Sequence, residues 1–358
     1  MVRPWRLAPR SPRLSLLDHL LRGAAALLGL APARLIQTLI GESPRNQRGE
    51  SLDDHLHLLL KMERMVAGPA LPTLTQRRQK MRKGIALIDG SPTPIGGLVE
   101  TVLGGNLPAR VYRPSDCSSR PWMLYLHGGG WATGDLDSHD RICRRICAES
   151  DLLVIALDYR LSPETPFPGA IHDVRRAWID AADLAARLGA ERAWACVGGD
   201  SAGGNLAAVL CHQHRDLALE EPKPVLQLLV YPAMDFNCAD ASHREFAEGY
   251  LLTKDSIDTY KAMYAPPDDT DPDASPVLHP NLRNLPHTIV ITAGFDPLRD
   301  EGERYARLAA AAGTSVVHLA EPGLVHGFLQ MDAVLPAADA AVQRMLGALR
   351  QGLNAHRP

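Results

Sequence analysis

The sequence predicts an α/β fold whose central sheet is mostly parallel and is covered by helices on both faces. Between residues 122 and 349, short apolar runs alternate with longer segments in which apolar residues recur at helical spacing. Residues 152–157 contain no polar side chain, as expected for a strand that is buried on both faces. Repeated strand–helix units of this kind place helices over both faces of one parallel sheet.

The individual elements follow in chain order. Residues 52–66 are predicted to form a helix with a partly apolar face. Strands at residues 99–103 and 109–112 form a hairpin-like pair around Gly104, Gly105 and Asn106. Further strands are predicted at residues 122–126, 152–157, 194–197, 225–231, 288–292 and 315–319. Helices are predicted at about residues 138–149, 169–187, 202–214, 301–312 and 335–349, and residues 235–286 are interpreted as irregular.

The composition is typical of a soluble globular protein. Of the 358 residues, 46% are hydrophobic and 22% are charged, and a formal net charge of -3 gives no reason to expect a nucleic-acid partner. The six cysteines lack the spacing of a zinc site, and Cys143 and Cys147 are interpreted as small apolar residues on a helix face. Scattered free thiols fit a reducing compartment, so we expect a cytoplasmic protein.

Residues 1–50 are predicted to be a helical N-terminal extension. Its arginines precede leucines and alanines at helical spacing: Arg3, Arg6, Arg10, Arg13, Leu14, Leu17, Leu21, Ala24 and Leu28. Asp18, His19 and Arg22 interrupt a signal-peptide core, and no uncharged run approaches the roughly 18 residues of a membrane span. We therefore expect an amphipathic helix that packs on the protein or contacts a membrane surface. The later basic run at residues 77–83 is interpreted as a solvated helix face.

A G-x-S-x-G motif occupies residues 199–203, directly after one predicted strand and directly before a predicted helix. A serine on such a strand-to-helix turn has a strained backbone and projects its hydroxyl above the edge of the sheet. Gly199 and Gly203 supply the small neighbours that this turn requires. The motif and its context together indicate that Ser201 is a nucleophile.

A glycine-rich segment, residues 127–131, follows the predicted strand at residues 122–126. Consecutive glycines let backbone N–H groups approach a substrate oxygen closely. Together with the N–H of Ala202, they would form an oxyanion hole. A phosphate-binding loop is a weaker interpretation, because the G-x-x-x-x-G-K-[ST] pattern is absent from the sequence.

A serine nucleophile needs a base, and the base needs an orienting carboxylate, in the chain order Ser, Asp or Glu, His. Asp296 follows the strand predicted at residues 288–292, although Pro297 also suits a helix-capping role for Asp296, and both roles can coexist. Asp300 is the nearest alternative carboxylate. His326 follows the last predicted strand and is the candidate base. The other histidines considered, His127, His287 and His318, belong to the glycine loop or to strand positions unsuited to this role.

These residues resemble the hormone-sensitive-lipase-like family of bacterial esterases, within the α/β-hydrolase superfamily. The resemblance extends from about residue 52 to the carboxyl terminus. Its motifs are HGGGW (127–131), DYRLSPE (158–164), GGDSAGGNLAA (198–208), YP (231–232), EGYLLT (248–253), DPLRDEG (296–302) and VHGF (325–328). The resemblance implies an α/β-hydrolase fold that hydrolyses short- to medium-chain carboxylic esters without a metal or an organic cofactor.

The resemblance also implies roles for individual residues. Ser201 would be the nucleophile, His326 the base and Asp296 its orienting partner. The oxyanion donors would be the N–H groups of three residues, with Gly128 setting the loop; the donors are Gly129, Gly130 and Ala202. Residues 51–358 would form the catalytic domain, with a helical cap from residues 51–83 and 235–280. The substrate pocket would be lined by Trp131, Leu252 and Leu324.

Several alternatives remain open at this point. The same triad would serve an amidase, a peptidase or a deacetylase, since acyl transfer is not specific to esters. A non-catalytic small-molecule receptor could use the same fold. A lipase acting at lipid interfaces is a third alternative, supported by the basic and apolar amino terminus. The partner that we expect is a small-molecule ester substrate, and a homodimer is an open alternative because related enzymes often pair.

Overall fold

The computed structural model describes residues 31–66, 73–217 and 222–357. Within these ranges eight strands form one sheet, in the order β1-β2-β4-β3-β5-β6-β7-β8. The strands are β1 (Gly97–Leu103), β2 (Leu107–Arg113), β3 (Trp122–Leu126), β4 (Leu153–Leu157), β5 (Ala195–Asp200), β6 (Leu226–Val230), β7 (His287–Phe295) and β8 (Val316–Val325). Strands β1, β2 and β4 pair antiparallel, and all other neighbours pair parallel. The predicted mostly parallel sheet is confirmed.

Ten helices accompany these strands in the described ranges. They are α1 (Ala33–Ile40), α2 (Asp54–Val66), α3 (Leu74–Ile88), α4 (Asp140–Ser150), α5 (Gly169–Arg187), α6 (Ala202–Asp216), α7 (Ala241–Glu245), α8 (Lys254–Tyr264), α9 (Arg299–Ala311) and α10 (Pro336–Ala355). Helices α5, α6 and α9 contribute to one apolar core, whereas α4 and α10 contribute to a second. The two cores alternate along the strands, with Leu124 in the first and Met123 in the second. Helices therefore cover both faces, as predicted.

The ends of strands β5, β7 and β8, together with the turn between β5 and helix α6, place the site at one edge of the sheet. Strand β5 extends to Asp200, beyond the predicted end at residue 197, while β7 extends to Phe295 and β8 to Val325. The end of β5 did not show the strand pattern because it contains glycines. A Cβ on Gly198 would lie 3.1 Å from the Leu228 side chain, so glycine avoids a tight contact between the strands. Each candidate triad residue is consequently the first residue after a strand.

The prediction of an irregular segment at residues 235–286 is wrong in two places. Helices α7 and α8 lie within it, and a short 3-10 turn follows at Pro276–Leu278. The Thr253 side chain caps α8 by accepting a hydrogen bond from the Ser256 N–H. Only Ile257 and Tyr264 of α8 are buried, so the apolar periodicity that reveals most helices is weak here.

The part of the N-terminal extension that the structure describes contains α1, while the amphipathic pattern at residues 14–28 lies outside the described residues. The Asn46 side-chain amide donates to the Gly294 carbonyl at 3.2 Å, and the Asp53 N–H donates to the Gly323 carbonyl at 2.9 Å. These bonds attach residues 46–53 to the carboxyl-terminal parts of strands β7 and β8. No helix in the described ranges has the length and apolarity needed to cross a membrane.

The basic run of α3 lies on a helix with no buried residue, as expected for a solvated face, but two of its arginines also contact the body of the protein. The Arg78 guanidinium donates to the Ala132 carbonyl and to both carboxylate oxygens of Glu164, each at 2.8 Å. One turn later, Arg82 Nε donates to Asp135 Oδ2 at 2.6 Å. No residue of α3 is itself buried. Polar contacts with residues 132–135 therefore attach this helix to the body.

Candidate active site

The nucleophile turn is formed where β5 meets α6. Ser201 has φ = 55°, a left-handed conformation that is strained for a residue with a side chain. A Cβ on Gly199 would lie 2.5 Å from the Leu126 carbonyl oxygen, and one on Gly203 would overlap the same oxygen. Only glycine fits at both positions, because the strand β3 backbone passes directly against the turn. The turn holds the Ser201 hydroxyl beyond the end of the sheet.

Ser201, His326 and Asp296 form a continuous hydrogen-bonded series. His326 Nε2 lies 2.9 Å from Ser201 Oγ, and His326 Nδ1 lies 2.8 Å from Asp296 Oδ2. Asp296 is fully buried and can only accept at both oxygens when ionised, so Nδ1 carries the ring proton and Nε2 is free to accept from the serine hydroxyl. The structure thus brings together the three residues predicted from the sequence.

Asp296 is placed for the orienting role predicted from the sequence, whereas it does not cap α9, whose N-cap residue is Leu298. Its Oδ1 accepts the Leu298 N–H at 2.8 Å at the start of α9, while Oδ2 faces His326. The alternative carboxylate, Asp300, is bonded to Arg48, Arg299 and the Ser242 N–H. Asp300 therefore attaches surface segments to one another, and Asp296 orients the histidine.

The glycine loop supplies free backbone donors beside Ser201. Gly129 and Gly130 have φ values of 119° and 60°, which turn their N–H groups out of the strand direction. Among the described residues, the N–H groups of Gly129, Gly130 and Ala202 have no hydrogen-bond acceptor. The Gly128 N–H, in contrast, donates to Asp200 Oδ1 at 3.1 Å. Gly128 is thus placed to fix the loop, and the other three donors are placed to receive an oxyanion.

A cavity of about 870 Å³ opens above Ser201 and His326. Helices α2, α3 and α8 contribute walls, so both stretches assigned to the cap meet there. Trp131 and Leu252 line this cavity, and the Trp131 ring stacks on Tyr264 with centroids 4.5 Å apart. Leu324 is only 2% exposed, packs in the second apolar core, and is not among the lining residues. The predicted role of Leu324 in the pocket does not fit this position, because the last residues of strand β8 pack in the core.

A buried carboxylate, Asp200, lies next to the nucleophile and was not predicted from the sequence. Asp200 accepts hydrogen bonds from the Tyr125 hydroxyl at 2.9 Å and from the Gly128 N–H at 3.1 Å, and its Oδ1 lies 3.2 Å from His139 Nε2. Burial alone would raise the pKa of the Asp200 carboxyl, but His139 outweighs it by charge and hydrogen bonding, and the pKa is held at about 2. The position of Asp200 inside the G-x-S-x-G motif is a sequence signal that could have indicated its role. No sequence signal indicated His139.

A second buried carboxylate anchors the insertion that follows β6. Glu301 accepts the N–H groups of Met234 at 2.6 Å and Asp235 at 3.2 Å. His243 Nε2 lies 2.8 Å from the other Glu301 oxygen. Burial raises the pKa of the Glu301 carboxyl despite these partners. Glu301 therefore holds the start of the insertion against α9, just behind Asp296.

The histidine, cysteine and carboxylate side chains of the described ranges are dispersed rather than arranged as a metal centre. Within the part of the chain that the structure describes, no three of them are grouped as ligands of one ion. Cys143 and Cys147 are buried on the apolar face of α4, where burial raises the pKa of the Cys147 thiol to about 12. Both thiols pack as small apolar groups, in agreement with their interpretation from the sequence.

The fold and the geometry of Ser201, His326 and Asp296 define a serine hydrolase of the α/β-hydrolase class. A sequence model described as the α/β hydrolase fold matches residues 123–330, which is more than half of the chain. The chain belongs to this family. The predicted resemblance to the hormone-sensitive-lipase-like esterases is thereby confirmed.

Two curated relatives are similar over most of their length. The chain is 40% identical to "Carboxylic ester hydrolase LipN" of Mycobacterium tuberculosis over 320 residues, which cover 86% of this chain and 84% of that protein. It is 36% identical to "Ethyl acetate hydrolase" of Pseudomonas putida over 303 residues, covering 80% of this chain and 94% of the relative.

Two solved structures have the same fold. An ester-hydrolase, EH1AB1, from the metagenome of Lake Arreo, solved with a derivative of bipyridine phosphonate, superposes with a TM-score of 0.78 at 35% identity, covering 84% of this chain and 97% of that one. A hyperthermophilic esterase from Pyrobaculum calidifontis superposes with a TM-score of 0.77 at 34% identity, covering 84% of this chain and 98% of the other.

Proposed function

We propose that this protein is a carboxylic ester hydrolase that acts on short- to medium-chain acyl esters through an acyl-enzyme on Ser201. The observation that carries the proposal is the continuous series Ser201–His326–Asp296 at the floor of a cavity whose loop presents free N–H donors. The names of the similar proteins, which include an ester hydrolase and an ethyl acetate hydrolase, support esters as the substrate class.

The geometry leads to a two-step acyl transfer. Ser201 Oγ attacks the ester carbonyl carbon while His326 Nε2 accepts the hydroxyl proton, and Asp296 stabilises the imidazolium that forms. The carbonyl oxygen becomes an oxyanion that accepts hydrogen bonds from Gly129, Gly130 and Ala202. His326 then donates its proton to the leaving alcohol as the carbon–oxygen bond breaks. Water, deprotonated by the same nitrogen, attacks the acyl-enzyme and releases the acid and Ser201.

The walls of the cavity support the preference for short and medium acyl chains. Apolar side chains from α2, α3 and the segment around α8 line the cavity, among them Leu59, Ile85 and Ile257. A volume of about 870 Å³ lies within the usual range of small-molecule sites, so a short ester can be enclosed away from water. Excluding water strengthens the hydrogen bonds from the oxyanion donors.

The test is kcat/KM on p-nitrophenyl esters from acetate to palmitate, measured for the wild type, Ser201→Ala and the exposed control Ser91→Ala. We expect cleavage that is highest for short chains, a loss of kcat on the order of 10⁶-fold in Ser201→Ala, and no change in Ser91→Ala. Activity on acyl amides that exceeds activity on the matched esters would favour the amidase or deacetylase alternative. Ligand binding without turnover would favour the receptor.

We also propose a cytoplasmic location with contact to the membrane surface through the N-terminal extension. The support is the arginine-rich sequence before residue 14 and the exposure of Leu35 (51%) and Leu39 (67%) on α1. Co-sedimentation with anionic vesicles should decrease in the Leu35→Ser/Leu39→Ser variant and stay unchanged in Met65→Ser, an exposed control on α2. Equal sedimentation of all three proteins would refute the membrane contact.

A further inference from the structure

A buried imidazole, His139, lies behind the nucleophile turn and has no place in the acyl-transfer steps. It directly precedes α4 and does not line the cavity. Its Nε2 lies 3.2 Å from Asp200 Oδ1, 3.3 Å from the Gly128 nitrogen and 3.0 Å from the Gln330 amide nitrogen. The nucleophile turn, the glycine loop and the loop that carries His326 therefore meet at this one ring.

The other ring nitrogen has a fixed role as a donor. His139 Nδ1 lies 2.8 Å from Ser138 Oγ, and the Ser138 hydroxyl itself donates to the Asp135 carbonyl oxygen at 2.8 Å. Since the single hydroxyl hydrogen is used on Asp135, Ser138 Oγ can only accept from His139, and Nδ1 must carry a proton. The His139 ring is thus hydrogen-bonded through Nδ1 to its own loop, and its Nε2 lies against the Asp200 carboxylate.

Charge keeps the Asp200 carboxylate ionised in this position. Six titratable groups surround the His139–Asp200 pair from the neighbouring elements: Tyr125, His127, Asp135, Cys143, Tyr159 and Tyr231. Burial alone would lower the pKa of His139, but the Asp200 charge and hydrogen bond, with help from Asp135, raise it. The ionised carboxylate accepts the Gly128 N–H, and a charge-assisted hydrogen bond of this kind is about twice as strong as a neutral one.

We propose that His139 is a positioning residue for the oxyanion hole: it holds the Asp200 carboxylate against the Gly128 N–H and so fixes the directions of the Gly129 and Gly130 N–H groups. The contact is close enough to transmit a displacement, because a Cβ on Gly128 would overlap Asp200 Oδ2. Oxyanion donors act over a narrow distance range of about 2.7–3.1 Å, so a small shift of the loop weakens them. The inference rests on the proposed acyl transfer at Ser201.

Two substitutions separate the hydrogen bond from the packing of the ring. His139→Met has a similar volume but no donor, so it leaves the Asp200 carboxylate without its partner. His139→Gln can present an amide N–H to Asp200. We expect kcat on p-nitrophenyl acetate to fall about 10- to 100-fold in His139→Met with KM within about twofold, because one whole oxyanion donor is worth on the order of 10²–10³. His139→Gln should recover most of kcat.

A trifluoromethyl ketone analogue of the ester provides a readout that does not depend on turnover. Ser201 Oγ adds to its carbonyl carbon, the serine proton passes to His326, and the carbonyl oxygen becomes an oxyanion in the hole. Its inhibition constant should rise in His139→Met by the same factor by which kcat/KM falls. The matched control is Cys143→Ala, one turn further along α4, which removes buried packing but no bond to Asp200. It should change stability and leave kcat and inhibition unchanged.

The outcomes distinguish this proposal from the proposed function. The positioning role is overturned if folded His139→Met has the kcat and the inhibition constant of the wild type. It is also overturned if Cys143→Ala loses as much kcat as His139→Met does. If His139→Met does not fold, Ser138→Ala removes the acceptor of Nδ1 and should still lower kcat severalfold at constant KM; unchanged kcat there overturns the proposal. A wild type that binds the ketone but cleaves no ester refutes the ester substrate alone, and the inhibition constants still decide the role of His139. A wild type that does neither refutes both.

Discussion

Ser201, Asp296 and His326 are each the first residue after a strand, and this common position explains why local sequence was sufficient to find them. The carboxyl ends of parallel strands meet at one edge of a sheet, so residues far apart in the chain converge there. His139 has no such signature. Its partner Asp200 lies 61 residues further along the chain, and only the folded structure brings the two side chains together.

At the residue scale, the lowered pKa of His127 leads us to expect a loss of stability in mild acid. Burial, followed by the charge of His139, lowers the pKa of His127 from 6.5 to about 4. The unfolded chain therefore binds the proton first as the pH falls, and stability decreases between pH 6.5 and 4. We expect the His127 contribution to the free energy of unfolding to fall by about 2 kcal/mol between pH 7 and pH 5. Urea unfolding at the two pH values measures it.

The comparison variant for this prediction is His127→Asn, whose amide does not titrate in this range. Its unfolding free energy should change less between pH 7 and pH 5 than that of the wild type. His172→Asn, at an exposed position of α5, should behave as the wild type does. An identical pH dependence in His127→Asn and the wild type would show that the buried ring does not titrate as described.

At the element scale, the helices that pack on the sheet were predicted more accurately than those of the cap. Helices α5, α6 and α10 bury many side chains. The predicted and observed ranges of α5 and α6 agree within about two residues, whereas α10 continues from the predicted end at residue 349 to Ala355. Helix α8 was missed because it buries only two side chains and depends on the Thr253 cap. The ends of β5 were misjudged because glycines that serve the nucleophile turn look unlike strand residues.

Helix α10 contains two glycines for which opposite effects are expected. A Cβ on Gly347 would have no neighbour within 4 Å, whereas one on Gly352 would lie 2.8 Å from both His287 and Leu226 side chains. Gly347→Ala should therefore stabilise the protein by about 0.5–1 kcal/mol through helix propensity. Gly352→Ala should destabilise it by about 1–3 kcal/mol through overpacking. Urea midpoints that move in the same direction would contradict the packing of α10 against β6 and β7.

At the scale of the whole molecule, two apolar cores support a cap whose helix α2 packs in the second core, whereas its helix α3 is attached by polar contacts. The cavity forms between these parts, and its lining could not be predicted in full from the sequence. Trp131 and Leu252 line it as expected, but Leu324 lies in the core, because strand β8 continues further than the sequence pattern indicated. Sequence motifs predict the reacting groups well, whereas the walls of the substrate cavity depend on how helices α3 and α8 pack.

The attachment of α3 leads to a prediction about substrate binding. Arg78→Met removes the bonds to Ala132, Ser162 and Glu164, which hold the helix beside the glycine loop. We expect KM on p-nitrophenyl butyrate to rise about fivefold, equivalent to about 1 kcal/mol of binding, with a smaller change in kcat. Gln79→Met, at the next and exposed position of α3, is the control. Equal KM values in both variants would mean that the arginine does not hold the cavity wall in place.

The central claim is that Ser201 is the nucleophile activated by His326 and Asp296, and stoichiometric phosphorylation tests it most directly. Diethyl p-nitrophenyl phosphate transfers its diethylphosphoryl group to an activated serine and releases p-nitrophenolate. We predict one equivalent of p-nitrophenolate per chain, loss of esterase activity in parallel, and peptide mass spectrometry that places the group on Ser201. Modification of a different residue, or full esterase activity after Ser201 has been modified, would contradict the account.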